Sequence, residues 1–189
     1  MIISFGGAPG SGKSTIAQML ADKLGWTRYY IGGLRRDIAK KRGLTLAEYN
    51  KLGENDPSTD REVDDYQKKL GKTADNFIIE GRTSWYFIPR SLKIFLDVSK
   101  EEGAKRIFGH LQEKNDRNEN AALNSLEAVK KSVAERLASD QGRYQRYYGV
   151  DVSDRRHYDL YLDTTLLTID QVFQAVYDFV RSRLDKKKN

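Results

Sequence analysis

Residues 7 to 14 read Gly7-Ala8-Pro9-Gly10-Ser11-Gly12-Lys13-Ser14, the spacing G-x-x-x-x-G-K-S, followed by Thr15. The ligand this pattern suits is phosphate. Glycines let the backbone wrap closely enough for its N–H groups to face phosphate oxygens. A helix beginning at Lys13 adds partial positive charge at its N-terminus. Lys13 would reach the β- and γ-phosphates, and the Ser14 hydroxyl would ligate Mg²⁺. An apolar run, Ile2-Ile3-Ser4-Phe5, precedes the loop and an amphipathic segment follows it. That strand–loop–helix setting separates a P-loop from a chance match. Residues Gly7 to Thr15 are therefore expected to hold a nucleoside triphosphate.

Phosphoryl transfer needs cations around three equatorial oxygens. Arg36 lies one turn into the segment after Gly32-Gly33, and Arg82 follows the apolar run ending Ile79-Glu80-Gly81. Arg136, Asp140 and Arg143 are spaced i, i+4, i+7. At about 100° per residue they share one strip, bordering the apolar stripe of Val129, Val133 and Leu137. Such a strip looks inward at an edge. The plainer reading is a surface Arg–Asp pair worth about 0.3–0.5 kcal/mol. Glu80, at the end of its strand, is expected to orient Mg²⁺-bound water. His110 and His157 have no metal or triad partner at a telling spacing and are expected at the surface.

These residues need elements to carry them. A helix is expected from Lys13 to Leu24, ended by Gly25. Thr27 to Ile31 is β-prone and Gly32-Gly33 breaks it, after which a helix runs to about Arg42 and Gly43. Thr45-x-x-Glu48 and Thr59-x-x-Glu62 read as capping boxes, giving two short helices over residues 45 to 70 with Pro57 between them. Asn76 to Glu80 and Leu92 to Val98 read as buried strands, and Ser99-x-x-Glu102 caps the helix that follows. Residues 113 to 120 are a polar break. A long helix is expected from Leu123 to Tyr148, a last strand over Tyr158 to Leu162, and a final helix opened by Thr168-x-x-Gln171. Alternating strands and helices predict an α/β fold: a three-layer sandwich around a five-stranded parallel sheet. Residues 33 to 70 and 108 to 125 stand outside the repeat. At the carboxyl ends of strands, one would hold an acceptor and the other would close as a lid.

Composition bounds the function. A chain of 189 residues fits one such domain. It has no cysteine, so a disulfide framework and thiolate metal sites are excluded. With no apolar run near a membrane span and only four strand residues before the loop, a soluble cytoplasmic protein is expected, with no membrane partner. The net charge is +6, half of it from Lys186, Lys187 and Lys188. A nucleic-acid stripe would be more clustered, so no nucleic-acid partner is expected. A GTPase would need Asn-Lys-x-Asp, and Asn50-Lys51-Leu52-Gly53 lacks the acid. Asp22-Lys23-Leu24-Gly25 mimics D-x-x-G but falls inside the first helix.

The chain resembles the archaeal-type cytidylate kinases, within the nucleoside monophosphate kinases. The matching stretches are GGAPGSGKST (6–15), IGGLRRDIAKKRG (31–43), ENDPSTDREVDDYQ (54–67), FIIEGR (77–82), LKIFLDVSKEE (92–102), ERLASDQGRYQRYYGVD (135–151) and YDLYLDTTLLTIDQV (158–172). The P-loop is shared by a superfamily, whereas DREVDD and RYQRYYGVD are far more specific. The resemblance implies transfer of the ATP γ-phosphate to CMP or dCMP by a monomer, with Mg²⁺. It implies that Arg36 and Arg82 hold the acceptor phosphate, Arg136 and Asp140 lie at its ribose, and Arg143 lies at the transferring phosphates. Asp60 and Asp64 fall in the helix implied to cover the base. Gly33 stands where many relatives carry an acid. Thr83 stands where bacterial cytidylate kinases carry an aspartate that reads the cytosine amino group. Base reading then comes from elsewhere, or the base preference is looser. A UMP or AMP kinase, a small-metabolite kinase, and a module acting on nucleic-acid ends are the alternatives. An acceptor phosphate is already anionic, so no general base is required.

Overall fold

Six consecutive residues, Ile2–Gly7, are all buried and form strand β1. A strand buried on every side chain needs cover on both faces, which a parallel sheet with helices on each side supplies. In a computed structural model that describes residues 1–112 and 123–186, β1 is joined by β2 (Thr27–Tyr30), β3 (Phe77–Glu80), β4 (Leu92–Asp97) and β5 (Leu160–Asp163). The strand order is β2-β3-β1-β4-β5, every pair parallel. The expected five-stranded α/β sandwich is therefore present.

Alternation along β1 sorts the two faces. Ile3 and Phe5 face α1 (Lys13–Leu24) and α8 (Ile169–Asp185), through Ile16, Leu20, Val172, Val176 and Val180. Ile2, Phe77 and Ile79 face α2 (Ile31–Lys41), α3 (Leu46–Gly53) and α4 (Ser58–Thr73), through Ile38, Tyr49 and Val63. After β3 comes a single turn, α5 (Ser84–Phe87). Helices α6 (Lys100–Gln112) and α7 (Leu126–Tyr148) pack on each other through Ala104, Ile107 and Val129. The chain leaves β1 toward β2, returns to β3, then crosses to β4. The direction of winding thus reverses beside β1, and in open sheets ligands bind in the crevice at the carboxyl ends there.

Two capping boxes form as predicted. Thr45 Oγ1 accepts from the Glu48 N–H at 3.2 Å while Glu48 accepts from the Thr45 N–H at 2.7 Å, and Thr168 pairs with Gln171 likewise. The third does not. Helix α4 starts at Ser58, ahead of Thr59, because the Asp56 carboxylate accepts from the Ser58 N–H at 2.9 Å. The Thr59 hydroxyl instead donates to the Asp56 carbonyl at 3.0 Å, and Glu62 pairs with Arg42. Gly32-Gly33 does not break the chain either: both lie in the first turn of α2. Helices α2 to α4 fill the chain between β2 and β3. Most of the segment expected as a lid, residues 113–122, lies outside the described residues.

Candidate active site

The loop after β1 is fixed by backbone contacts. The Ala8 N–H donates to the Leu96 carbonyl of β4 at 3.0 Å. Gly10 has φ +80°, and a Cβ there would stand 2.3 Å from the Gly103 carbonyl oxygen of α6. A Cβ on Gly103 would stand 2.6 Å from the Pro9 carbonyl oxygen. Loop and helix therefore meet backbone to backbone. Helix α1 opens on Gly12, φ 81°, with no side-chain cap. The unbonded N–H groups of such a first turn form an anion site. Lys13 Nζ donates to the Ala8 carbonyl at 3.4 Å. Ser14 Oγ donates to Glu80 Oε1 at 2.5 Å, and Arg28 Nη2 donates to Glu80 Oε2 at 2.7 Å. Glu80 is buried at the end of β3, its register partner being Phe5.

Pro9, Gly10, Lys13, Ser14 and Glu80 line part of a cavity of about 1090 Å³. Gly7, Ala8, Ser11 and Gly12 shape the loop behind it, and Thr15 is exposed on α1. Arg36, Asp60, Asp64, Arg82, Arg136, Asp140 and Arg143 line the same cavity. The topology thus gathers residues from α2, α4, the β3 edge and α7 beside the P-loop.

Most of these charges are already engaged. Arg143 is 1% exposed; its Nη1 donates to both oxygens of Asp60, at 2.6 and 2.7 Å, and its Nη2 donates to Asp140. Arg35 donates from Nη1 to Asp60 at 2.7 Å and from Nε to Asn50 at 2.9 Å. Arg82 lies 3.1 Å and Arg136 lies 4.0 Å from Asp140 Oδ2. Four guanidiniums so share two carboxylates, which leaves the wall positive and suited to an anion. Burial pushes the Asp140 carboxyl up, but Arg82, Arg136 and Arg143 together outweigh it and hold the group below its ordinary value. Asp64 is different. Burial raises it to about 6, against a hydrogen bond from the Tyr148 hydroxyl that pulls it down.

Arg36 has its own support. Its Nη1 donates to the Tyr30 hydroxyl at 2.5 Å and the Gly32 carbonyl at 3.2 Å. The Tyr30 ring lies across the first turn of α2. A Cβ on Gly33 would come 2.7 Å from that ring, and one on Gly32 2.9 Å. The absence of a side chain at position 33 is thus the space that Tyr30 fills.

Sequence reading passed over Arg35, Tyr30, Arg28 and Tyr148. Arg35 neighbours Arg36, and Tyr148 lies inside the RYQRYYGVD stretch, so both were within reach. Their partners are 25 and 84 residues away, however, and no local spacing announces such pairs. His157 stacks on Trp85, ring centroids 4.2 Å apart, away from the cavity lining.

A sequence model of the cytidylate kinase-like family matches residues 2–166. The chain belongs to the cytidylate kinase-like family. A cytidylate kinase of Methanocorpusculum labreanum is 33% identical to it over 189 residues, all of both chains. One of Pyrococcus furiosus is 36% identical over 177 residues, 93% of this chain and 86% of that one. Membership in the cytidylate kinase-like family makes the chain an ATP-dependent kinase with nucleotide substrates. Solved structures extend the likeness in fold alone. A shikimate kinase from Bacteroides thetaiotaomicron superposes with TM-score 0.63 at 13% identity, over 98% of each chain. An uncharacterized protein from Eubacterium ventriosum gives 0.70 at 16% identity, over 96% of this chain and 99% of that one.

P-loop kinases use Mg²⁺ with ATP, and this donor set suits it. Mg²⁺ prefers oxygen ligands, keeps several waters and binds through one or two protein groups plus phosphates. Ser14 Oγ and the Glu80 carboxylate are two such oxygens side by side. Among the described residues there is no cluster of three or more His, Asp or Glu that would cage a metal by itself. The same residues contain no helix long and apolar enough to cross a membrane.

Proposed function

We propose that the chain transfers the γ-phosphate of ATP to CMP or dCMP, giving ADP and CDP or dCDP. One observation carries the reading beyond kinase. One cavity is lined both by Lys13 and Ser14 and by an arginine-rich wall beside Asp64, a buried carboxylate with one oxygen uncommitted among the described residues. A nucleoside monophosphate needs that wall for its phosphate and a polar group for its base.

In this reading the P-loop N–H groups and Lys13 bind the β- and γ-phosphates of ATP. Ser14 and Glu80 would hold Mg²⁺, which neutralises charge on those phosphates. Arg36 and Arg82 bind the acceptor phosphate, oriented by Tyr30 and Asp140. Arg136 reaches toward the transferring phosphoryl group, where charge develops on the equatorial oxygens. Arg143 lies behind it, held by Asp60 and Asp140, and lends positive charge to the wall. Positioning two anions in line supplies most of the rate. No side chain need remove a proton, because the attacking phosphate oxygen is already ionised.

The base follows from chemistry at Asp64. Cytosine presents an exocyclic amino group to a carboxylate, while uracil presents a carbonyl oxygen that repels one. Asp60 takes no part in reading, since both its oxygens are bound by arginines. The test is an acceptor panel with labelled ATP: CMP, dCMP, UMP, AMP, GMP, shikimate and an oligonucleotide 5′-hydroxyl. CMP and dCMP are expected to lead. A higher kcat/KM for AMP or for a non-nucleotide would sink the reading.

A further inference from the structure

We propose that Tyr148 is a positioning residue for acceptor-base selection: its hydroxyl takes Asp64 Oδ2 and leaves Oδ1 to accept from an exocyclic amino group. The inference rests on the cytidylate reading and adds the residue that makes it selective.

The geometry is specific. The Tyr148 hydroxyl donates to Asp64 Oδ2, joining the last turn of α7 to the middle of α4. Among the described residues no other hydrogen bond is made to Asp64. Asp64 lines the cavity yet is only 6% exposed. The charged groups that face it are Asp60 and Lys68 from α4 and Arg35 from α2, besides Tyr148 from α7. Arg35, a cationic neighbour of Asp64 in the wall, is itself bound to Asp60 and Asn50. Asp64 is thus held by a neutral donor and not by a guanidinium.

That choice matters for specificity. A guanidinium can take both carboxylate oxygens in a fork. A hydroxyl has one proton to give, so it occupies one oxygen and orients the other. Burial favours the protonated carboxyl, and the Tyr148 hydrogen bond opposes burial by favouring the ionised one. A protonated Asp64 would donate and so tolerate the carbonyl of uracil. Tyr148 therefore both aims the carboxylate and keeps it an acceptor at neutral pH.

The ring of Tyr148 packs against Phe87 and Tyr86, centroids 5.3 and 5.6 Å away. Tyr148→Phe keeps that packing and removes only the donor. The measurement is the ratio of CMP to UMP kcat/KM from pH 5 to 8.5, for the wild type and three variants. Taking a ratio cancels the titration of the acceptor phosphate, which is common to both nucleotides. In the wild type the ratio is expected to fall as pH drops through about 6. In Tyr148→Phe the fall should move to higher pH, with the ratio reduced about tenfold at pH 7.5. Asp64→Asn is the sharper arm. With the Tyr148 hydroxyl on the amide oxygen, the amide NH₂ faces the base, and preference should invert toward UMP. Asp64→Asn with Tyr148→Phe frees the amide to flip, and the inverted preference should collapse toward unity.

Equal ratios and equal pH midpoints in wild type and a folded Tyr148→Phe would overturn the inference. So would an Asp64→Asn inversion that persists without the hydroxyl. A wild type that does not prefer CMP would instead overturn the cytidylate reading, an outcome seen before any variant is made.

Discussion

Arg143 and Asp60, 83 residues apart in the chain, face each other with one guanidinium nitrogen on both carboxylate oxygens, at 2.6 and 2.7 Å. The pair joins α7 to α4 in the arginine-rich wall of the cavity, and Arg35 closes on the same carboxylate from α2. Asp60 is 5% exposed, so the contact is shielded from water. Removing one member of a buried charge cluster leaves the others uncompensated, at about 3–5 kcal/mol. Asp60→Ala is therefore expected to lower unfolding stability by that order, read by denaturant titration. Asp60→Asn should also destabilise while leaving the CMP to UMP ratio unchanged. A ratio that shifts with a normal stability would return base reading to Asp60.

Much of the P-loop was legible in the sequence, and the reason is locality. The loop, the start of its helix and its lysine lie within nine residues, so residue type and spacing define the arrangement. The capping boxes at Thr45 and Thr168 were legible on the same ground. Thr59 was misread because Asp56, three residues upstream, accepts from the Ser58 N–H and starts the helix earlier. Gly32-Gly33 was read as a break because composition alone shows flexible residues, not the Tyr30 ring that needs their missing side chains. The arginine-rich wall was half legible. Helical spacing put Arg136, Asp140 and Arg143 on one inward strip. It could not show that Arg143 and Asp60 neutralise each other, because ion pairs between distant elements leave no periodic trace.

Lys13 reaches into the cavity beside the P-loop and takes no part in any of the buried hydrophobic clusters. Lys13→Ala is expected to cut kcat on the order of 100-fold or more, as loss of one transition-state donor does. Its melting temperature should match the wild type. Near-normal turnover by the folded variant would contradict a phosphate role for this residue.

Gly103 tests the seat of the loop. At the end of the first turn of α6, Gly→Ala should gain up to about 0.8–1.0 kcal/mol of helix propensity. The added Cβ would stand 2.6 Å from the Pro9 carbonyl oxygen, which belongs to backbone and cannot swing aside. Overpacking of this kind costs about 1–3 kcal/mol. The gain offsets only part of the cost, and the loop is displaced. Gly103→Ala should raise KM for ATP about tenfold, the equivalent of 1.4 kcal/mol, with KM for the acceptor unchanged. Isothermal titration with a non-hydrolysable ATP analogue checks the same point without turnover.

Gly33 makes the complementary test beside Arg36, in the reading where that residue holds the acceptor phosphate. A Cβ there meets the Tyr30 ring, a side chain that is 39% exposed and able to move. Gly33→Ala should therefore cost little stability, its propensity gain partly offsetting the contact. The displaced ring would release its hold on Arg36. KM for the acceptor should rise severalfold while KM for ATP stays put, the reverse of Gly103→Ala. If both constants move together, Tyr30 does not act through Arg36.

Asp64 links selectivity to stability through pH. Its carboxyl is raised by burial from the ordinary 3.8 to about 6 in the folded chain. Below pH 3.8 the group is protonated in folded and unfolded chains alike, and it contributes nothing. Between 3.8 and 6 the folded chain holds a proton that the unfolded chain has lost, so stability falls as pH rises. Above 6 both are ionised and the whole penalty is present, about 2–3 kcal/mol at 1.36 kcal/mol per pKa unit. Asn mimics the protonated carboxyl and never ionises. Asp64→Asn should then match the wild type near pH 4 and exceed it by that order at pH 7, in urea titrations at a series of pH values. Asp140 works in the opposite sense, its lowered carboxyl adding stability that is lost on acidification, and it is present in both proteins, so the difference between them isolates Asp64. A difference that is flat with pH would mean that Asp64 is not strained by burial. A gain at neutral pH together with lost CMP preference would mark Asp64 as a residue whose buried charge lowers stability and serves selection.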